Sequence, residues 1–194
     1  MGYYDDEKNV EQYIKMAEGY DGAFLIDALR QHLTSGSTVL ELGMGPGKDL
    51  LLLGQHFKAT GSDSSSVFVE RFRAQHTDTD VVQLDAITMD TDRRFDAIYS
   101  NKVLYHLTRE QLRQSLEKQQ QILRPGGLAL HSFWYGNNDE EMHGLHFAYY
   151  DEKQLRAIAE LHYEVIQIER YAEMEADDSL YMLLRKRPVS SPNE

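Results

Sequence analysis

The run Thr38-Val39-Leu40-Glu41-Leu42, followed at once by Gly43-Met44-Gly45-Pro46-Gly47, constrains the fold more than any other part of the chain. A short apolar stretch that ends in a glycine-rich turn reads as a buried strand, and Lys48-Asp49-Leu50-Leu51-Leu52-Leu53 beyond it reads as a helix. Glycines at such a crossover let bare backbone approach a ligand at the carboxyl edge of a parallel sheet. An α/β fold holding an adenosine-bearing cofactor is the expectation.

Charge narrows the choice of cofactor. A dinucleotide would set its pyrophosphate on the helix N-terminus, where the Glu41 carboxylate would repel it at the low dielectric of a cleft. Glu41 suits a cation instead. Gly43, Gly45 and Gly47 are spaced G-x-G-x-G, so the third glycine of a dinucleotide fingerprint would fall on Lys48. The arrangement resembles the first motif of class I S-adenosylmethionine-dependent methyltransferases, whose ligand carries an ammonium and a sulfonium but no phosphate.

Further along, Ala59-Thr60-Gly61-Ser62-Asp63 and Val81-Val82-Gln83-Leu84-Asp85-Ala86 read as strands with an acid at or near the end, and Phe95-Asp96-Ala97-Ile98-Tyr99-Ser100-Asn101 reads as a fourth strand. Leu123 to Leu130, with Pro125 and Gly126, reads as a helix stop leading into a fifth. Taken singly, an Asp such as Asp63 or Asp85 is more often a helix cap or turn former than a ligand. In order, they match the family. The resemblance implies that Glu41, Gly43, Met44 and Gly45 hold the methionine moiety, with Tyr13 reaching its carboxylate from a lid helix. Asp63 would hold the ribose, Ser64 would flank the adenine, and Asp85 with Ala86 would meet its polar edge. Ser100 and Asn101 would lie near the sulfonium. His106, in Lys102-Val103-Leu104-Tyr105-His106-Leu107, is the candidate base, because imidazole titrates near neutral pH; its alternative is a histidine that merely packs.

The rest of the chain fits one domain. Val10, Tyr13, Ile14 and Ala17 share a helical face broken by Asp21-Gly22, and a second helix is expected around Phe24 to Leu33. Thr108 with Gln111 forms a capping-box pattern ahead of Leu112, Leu116 and Ile122, and Asp151 with Gln154 forms a weaker one. Tyr163 to Tyr171 and Ser179 to Leu184 read as an antiparallel pair. The expectation is a three-layer Rossmann-like sandwich with a mostly parallel seven-stranded sheet and an antiparallel C-terminal strand. Residues 1–36 would supply cap helices, 37–130 the cofactor half, and 131–187 the substrate side and last strands. The long segment from Trp134 to Tyr150 would line the acceptor pocket through Trp134, His143 and His146.

A formal charge of -12 opposes capture of nucleic acid. No apolar run reaches membrane-spanning length, and Met1 to Glu7 is acidic rather than leader-like, so a cytoplasmic protein is expected. The basic run Arg185-Lys186-Arg187 reads as a solvated strand end. His131, His143 and His146 lack the spacing or carboxylate that a metal site needs, and none is expected. The leading reading is an S-adenosylmethionine-dependent methyltransferase acting on oxygen, nitrogen or sulfur of a small molecule and releasing S-adenosylhomocysteine. A cofactor-binding protein without turnover is the alternative, and a nicotinamide oxidoreductase is disfavoured by Glu41. The sequence leaves the acceptor and the oligomeric state open.

Overall fold

The computed structural model describes residues 2–188; Met1 of the acidic start and residues 189–194 lie outside them. Along the chain come α1 (Glu7–Met16), α2 (Ala23–Arg30), β1 (Thr38–Leu42), α3 (Lys48–Gly54), β2 (Lys58–Asp63), α4 (Ser66–Gln75), β3 (Val81–Gln83) and β4 (Phe95–Ser100). Then follow α5 (Arg109–Ile122), β5 (Leu123–Trp134), β6 (Asp139–Met142), β7 (Leu145–Ala148), α6 (Glu152–Ala159), β8 (Tyr163–Tyr171) and β9 (Ser179–Lys186).

Seven strands form one sheet in the order β3-β2-β1-β4-β5-β9-β8. The first five are parallel, and β9 runs antiparallel between β5 and β8. Strand order turns back at β1, with β2 on one side and β4 on the other, and a ligand crevice belongs at that switch point. The central strands β1, β4, β5 and β9 are largely buried on both faces, so their side chains divide with period two between cores on either side of the sheet. Leu40 and Leu42 of β1, Ile98 of β4 and Met182 of β9 face α5 and α6 through Leu112, Leu116, Leu155 and Ile158. Val39, Ala97, Tyr99, Tyr181 and Leu183 face α2 and α3 through Leu25, Ile26, Leu29 and Leu53. Three layers result.

Helix starts agree with local chemistry. Thr108 and Gln111 cap α5 reciprocally, and Asp151 and Gln154 do the same for α6. Boundaries differ where side chains or turns intervene. Helix α1 stops at Met16, ahead of Asp21-Gly22, and α2 stops at Arg30. β3 ends at Gln83, short of the expected Ala86, because Asp85 Oδ1 accepts the N–H groups of Ile87 and Thr88, both at 2.9 Å, and turns the chain. β9 runs two residues past Leu184. The expected long segment after Trp134 is a two-stranded hairpin, β6 with β7, outside the main sheet. Its turn residues His143 and Gly144 both have positive φ, 54° and 76°, the signature of a type I′ turn. In the basic run, Lys186 Nζ donates to Leu123 O at 2.7 Å and Arg187 Nε to Tyr163 O at 3.0 Å.

Candidate functional site

The carboxyl ends of β1, β2 and β4 open into two cavities of about 270 Å³ and about 160 Å³. Tyr13, Gly43 and Lys102 line both. Each alone is below the roughly 300 Å³ at which small-molecule sites begin, whereas the joined trough exceeds it. The first cavity takes in Gly45, Asp63, Ser64, Asp85, Ala86 and His106; the second takes in Glu41, Met44, Asp49, Asn101 and Trp134.

Two glycines shape the turn for different reasons. Gly43 has φ +66°, and a Cβ there would meet Val103 methyls at 2.6 Å, so packing forbids a side chain. Gly45 has φ +50°, and its missing Cβ would meet only Tyr13 Cε1, at 3.5 Å. Backbone there is bare toward the trough.

Acids dominate the site. Glu41 follows Val39 on the α3 side of β1; it is 3 % exposed, and its Oε2 is buried with no hydrogen-bond partner among the described residues. Burial, and then the Asp49 and Asp63 carboxylates, push its carboxyl well above the usual range. Asp63 Oδ2 accepts Gly45 N–H and Oδ1 accepts Ser65 N–H, each at 2.9 Å. Burial raises its pKa more than these bonds lower it. Asp49 accepts Gly22 N–H at 2.7 Å, the Tyr99 hydroxyl at 2.7 Å and Asn101 Nδ2 at 3.1 Å, so its carboxylate is partnered. Of the three, Glu41 alone keeps a buried carboxylate oxygen without a donor.

Other expected site residues fall in different places. Met44 floors the second cavity at 4 % exposure, and Tyr13 packs between Tyr4 and Phe68 at ring distances of 5.4 and 5.8 Å. Ser100 lines neither cavity: it is fully buried, with Oγ 2.8 Å from His131 Nδ1. β4's alternation turns it away from the trough, while Asn101, one residue on, faces it. His106 lines the first cavity, and its Nδ1–H donates to His146 O at 2.9 Å, which leaves Nε2 to accept a proton. Burial lowers its pKa, which favours the neutral ring. His143 sits exposed at the hairpin tip, away from both cavities. His146 contributes its carbonyl to His106 and gives Nδ1–H to Glu141 at 2.7 Å; its ring lines neither cavity. The hairpin registers both histidines in a turn and a strand pair that no local sequence signal announced.

Several site residues escaped sequence reasoning. Tyr3 and Tyr4 cover the first cavity from a single 3-10 turn, Tyr3–Asp5, where Ser65 Oγ donates to Tyr4 O at 2.5 Å. Nothing periodic marks so short an element. Lys102 belongs to the segment 102–107 that the resemblance sets beside the methyl-transfer site, but its contacts were not foreseeable: it stands in the left-handed region, φ +52°, and its Nζ donates to Phe133 O at 2.9 Å and Ser179 Oγ at 2.6 Å and lies 3.5 Å from the Trp134 ring centroid. Burial brings its pKa down to about 8. Glu173 and Met174, from the β8–β9 loop, line the second cavity. Their placement depends on β9 returning between β5 and β8, a long-range fact.

Residues 39–127 match the family model described as a methyltransferase domain. Among curated protein sequences, none matches the chain. Among solved structures, the chain is similar to the 1,6-didemethyltoxoflavin-N1-methyltransferase of Burkholderia thailandensis, bound to 1,6-didemethyltoxoflavin and S-adenosylhomocysteine. That match has 19 % identity and a TM-score of 0.78 and covers 94 % of this chain and 87 % of that one. An S-adenosylmethionine-dependent methyltransferase from Clostridium acetobutylicum aligns at 12 % identity and a TM-score of 0.75, over 94 % of this chain and 100 % of that one. The N-methyltransferase NodS from Bradyrhizobium japonicum, in complex with S-adenosylhomocysteine, aligns at 19 % identity and a TM-score of 0.67, over 84 % and 85 %. At these identities the structural likeness establishes the fold.

Proposed function

We propose that this chain, whose residues 39–127 match a methyltransferase-domain model, is a class I enzyme that transfers a methyl group from S-adenosylmethionine to oxygen, nitrogen or sulfur of a small molecule. The observation that carries the reading is the buried, unpartnered Glu41 Oε2 beside Asp63 and Asp49. A buried carboxylate without a donor is costly, and a cationic ligand relieves that cost while a pyrophosphate would worsen it.

The residues present fit such a cofactor. Glu41 receives its ammonium, the backbone of Gly43, Met44 and Gly45 borders its methionine arm, and Tyr13 closes over it. Asp63 and Ser64 border the ribose, and Asp85 with Ala86 borders the adenine; Asp85 has one oxygen, Oδ2, left for this after its turn bonds. The cofactor supplies an electrophilic methyl on sulfonium, so the protein's share is alignment and field. Asn101 and Trp134 border the second cavity, where the acceptor is placed. His106, whose Nε2 is free in the adjoining first cavity, is the candidate base for an acceptor that must lose an O–H proton.

Calorimetric titration with S-adenosylmethionine, S-adenosylhomocysteine and NAD tests the binding. Binding of the first two and not the third is expected; preference for NAD would end the reading. Release of S-adenosylhomocysteine from a metabolite library then separates turnover from binding alone.

A further inference from the structure

The proposed function uses the inner part of the second cavity and leaves its outer wall unexplained. Beside Trp134 that wall carries the aromatics Tyr20 and Tyr105, the acids Asp21 and Glu173, and Met174. The cavity's two lysines are committed to the protein. Lys48 Nζ donates to Ala17 O and Tyr20 O, both at 3.1 Å, and Lys102 Nζ is taken by Phe133 O and Ser179 Oγ. An anionic acceptor would meet four carboxyl groups, Asp21, Glu41, Asp49 and Glu173, against two lysines already hydrogen-bonded to the protein.

Glu173 is built into place. Asp178 accepts the N–H groups of Glu173, Met174 and Glu175 at 2.9, 3.0 and 3.0 Å, which fixes the β8–β9 loop. The Glu173 side chain is 14 % exposed; its Oε2 accepts the Tyr171 hydroxyl at 2.8 Å and lies 3.7 Å from Lys102 Nζ. Its Oε1 has no hydrogen bond among the described residues. Aromatic faces beside an available carboxylate oxygen suit a cation on an organic body.

We propose that the methyl acceptor is an organic amine with an aromatic or aliphatic body, and that Glu173 receives its ammonium. This rests on the methyltransferase reading. In the step, the ammonium releases one proton through the Glu173 carboxylate to solvent. The freed lone pair forms the new N–CH3 bond, the C–S bond breaks, sulfur keeps the electron pair as a neutral thioether, and the product is a methylated ammonium.

The test is calorimetry on the S-adenosylhomocysteine-saturated protein with three probes of one shape: phenethylamine, phenethyl alcohol and 3-phenylpropanoate. The amine should bind about tenfold tighter than the alcohol, the carboxylate weaker than either, and Glu173→Gln should erase the amine preference. Equal affinities, a preference that survives Glu173→Gln, or no amine binding up to about 10 mM would overturn the proposal. The saturating titration of S-adenosylhomocysteine is itself a separate readout. If it fails in the wild type, the methyltransferase reading falls; if it succeeds in both proteins, it also certifies that the variant is folded.

Discussion

Two groups of buried polar side chains sit on the same sheet, and they are finished differently. Behind β4 and β5, Ser100, His131, Gln119 and Ser115 are each 0 % exposed and form one chain. Ser115 Oγ donates to Ala86 O at 2.6 Å, Gln119 Nε2 to Ser115 Oγ at 3.2 Å, His131 Nε2–H to Gln119 Oε1 at 2.8 Å, and Ser100 Oγ to His131 Nδ1 at 2.8 Å. Each donor fixes the next tautomer or amide orientation, so the chain closes. At the carboxyl edge of β1, Glu41 is almost as deeply buried, and its Oε2 has no partner among the described residues. In the relay each side chain finds a partner within the protein, whereas Glu41 Oε2, like Tyr150 Oη and His146 Nε2 elsewhere, is buried without one among those residues. Of these unmet atoms only Glu41 Oε2 belongs to a residue that lines the trough, and in the proposed function it is assigned to the cofactor.

The largest effect that would break this contrast is acid sensitivity. Burial lowers the pKa of His131 to about 3. The unfolded chain takes up that proton near pH 6.5, so the stability tied to the neutral ring is whole above 6.5 and is lost as pH falls toward 3, by up to about 5 kcal/mol. Glu41 works in the opposite sense: its raised pKa favours the folded state at low pH and costs stability as pH rises through it. Urea unfolding across pH in wild type and His131→Gln isolates the first contribution. A shallower pH slope in the variant is expected, and equal slopes would mean that the relay is not closed around a neutral imidazole.

Next in size is Glu41→Gln. Removing an uncompensated buried charge should stabilise the free protein by about 1–3 kcal/mol while weakening S-adenosylmethionine by about 2–3 kcal/mol. Thermal unfolding and calorimetry read the two signs, and a loss of both stability and affinity would make Glu41 a structural residue. Asp63→Ala should weaken the cofactor by about 1.5–3 kcal/mol. Because Asp63 also accepts the N–H groups of Gly45 and Ser65, it should lower stability too, unlike Glu41→Gln.

Local pattern made one of these regions legible and not the other. β1, its carboxylate and its glycines lie within a few residues of one another, so Glu41, Gly43 and Gly45 could be placed from sequence. Capping boxes did the same for α5 and α6. Ser100 lies one residue off the trough's face, because a strand's last residue belongs to whichever side its pleat dictates and β4 ends at Ser100 rather than at the expected Asn101. His143 and His146 read as pocket residues because the hairpin has a His-Gly turn in place of the commoner Asn-Gly, and a segment without a visible turn looks like a loop. Lys102, Glu173 and the relay through His131 are assembled from β4, β5, α5 and the β8–β9 loop, so no window of sequence contains them.

The two regions meet at Ala86, whose carbonyl ends the relay and whose residue lines the first cavity, and this contact sharpens the comparison at its smallest scale. Ser115→Ala removes the donor to that carbonyl and leaves Gln119 Nε2 without its acceptor. Stability should fall by about 1–2 kcal/mol, the scale for leaving one buried polar group unmet. If the relay serves the fold alone, affinity for S-adenosylmethionine should move by less than about 0.5 kcal/mol, since only the far side of the Ala86 peptide has changed. A larger loss of affinity at unchanged Asp63 and Glu41 would mean that the closed interior orients the adenine-side turn, and the division between a satisfied scaffold and an unsatisfied site would have to be drawn through Ala86 rather than around it.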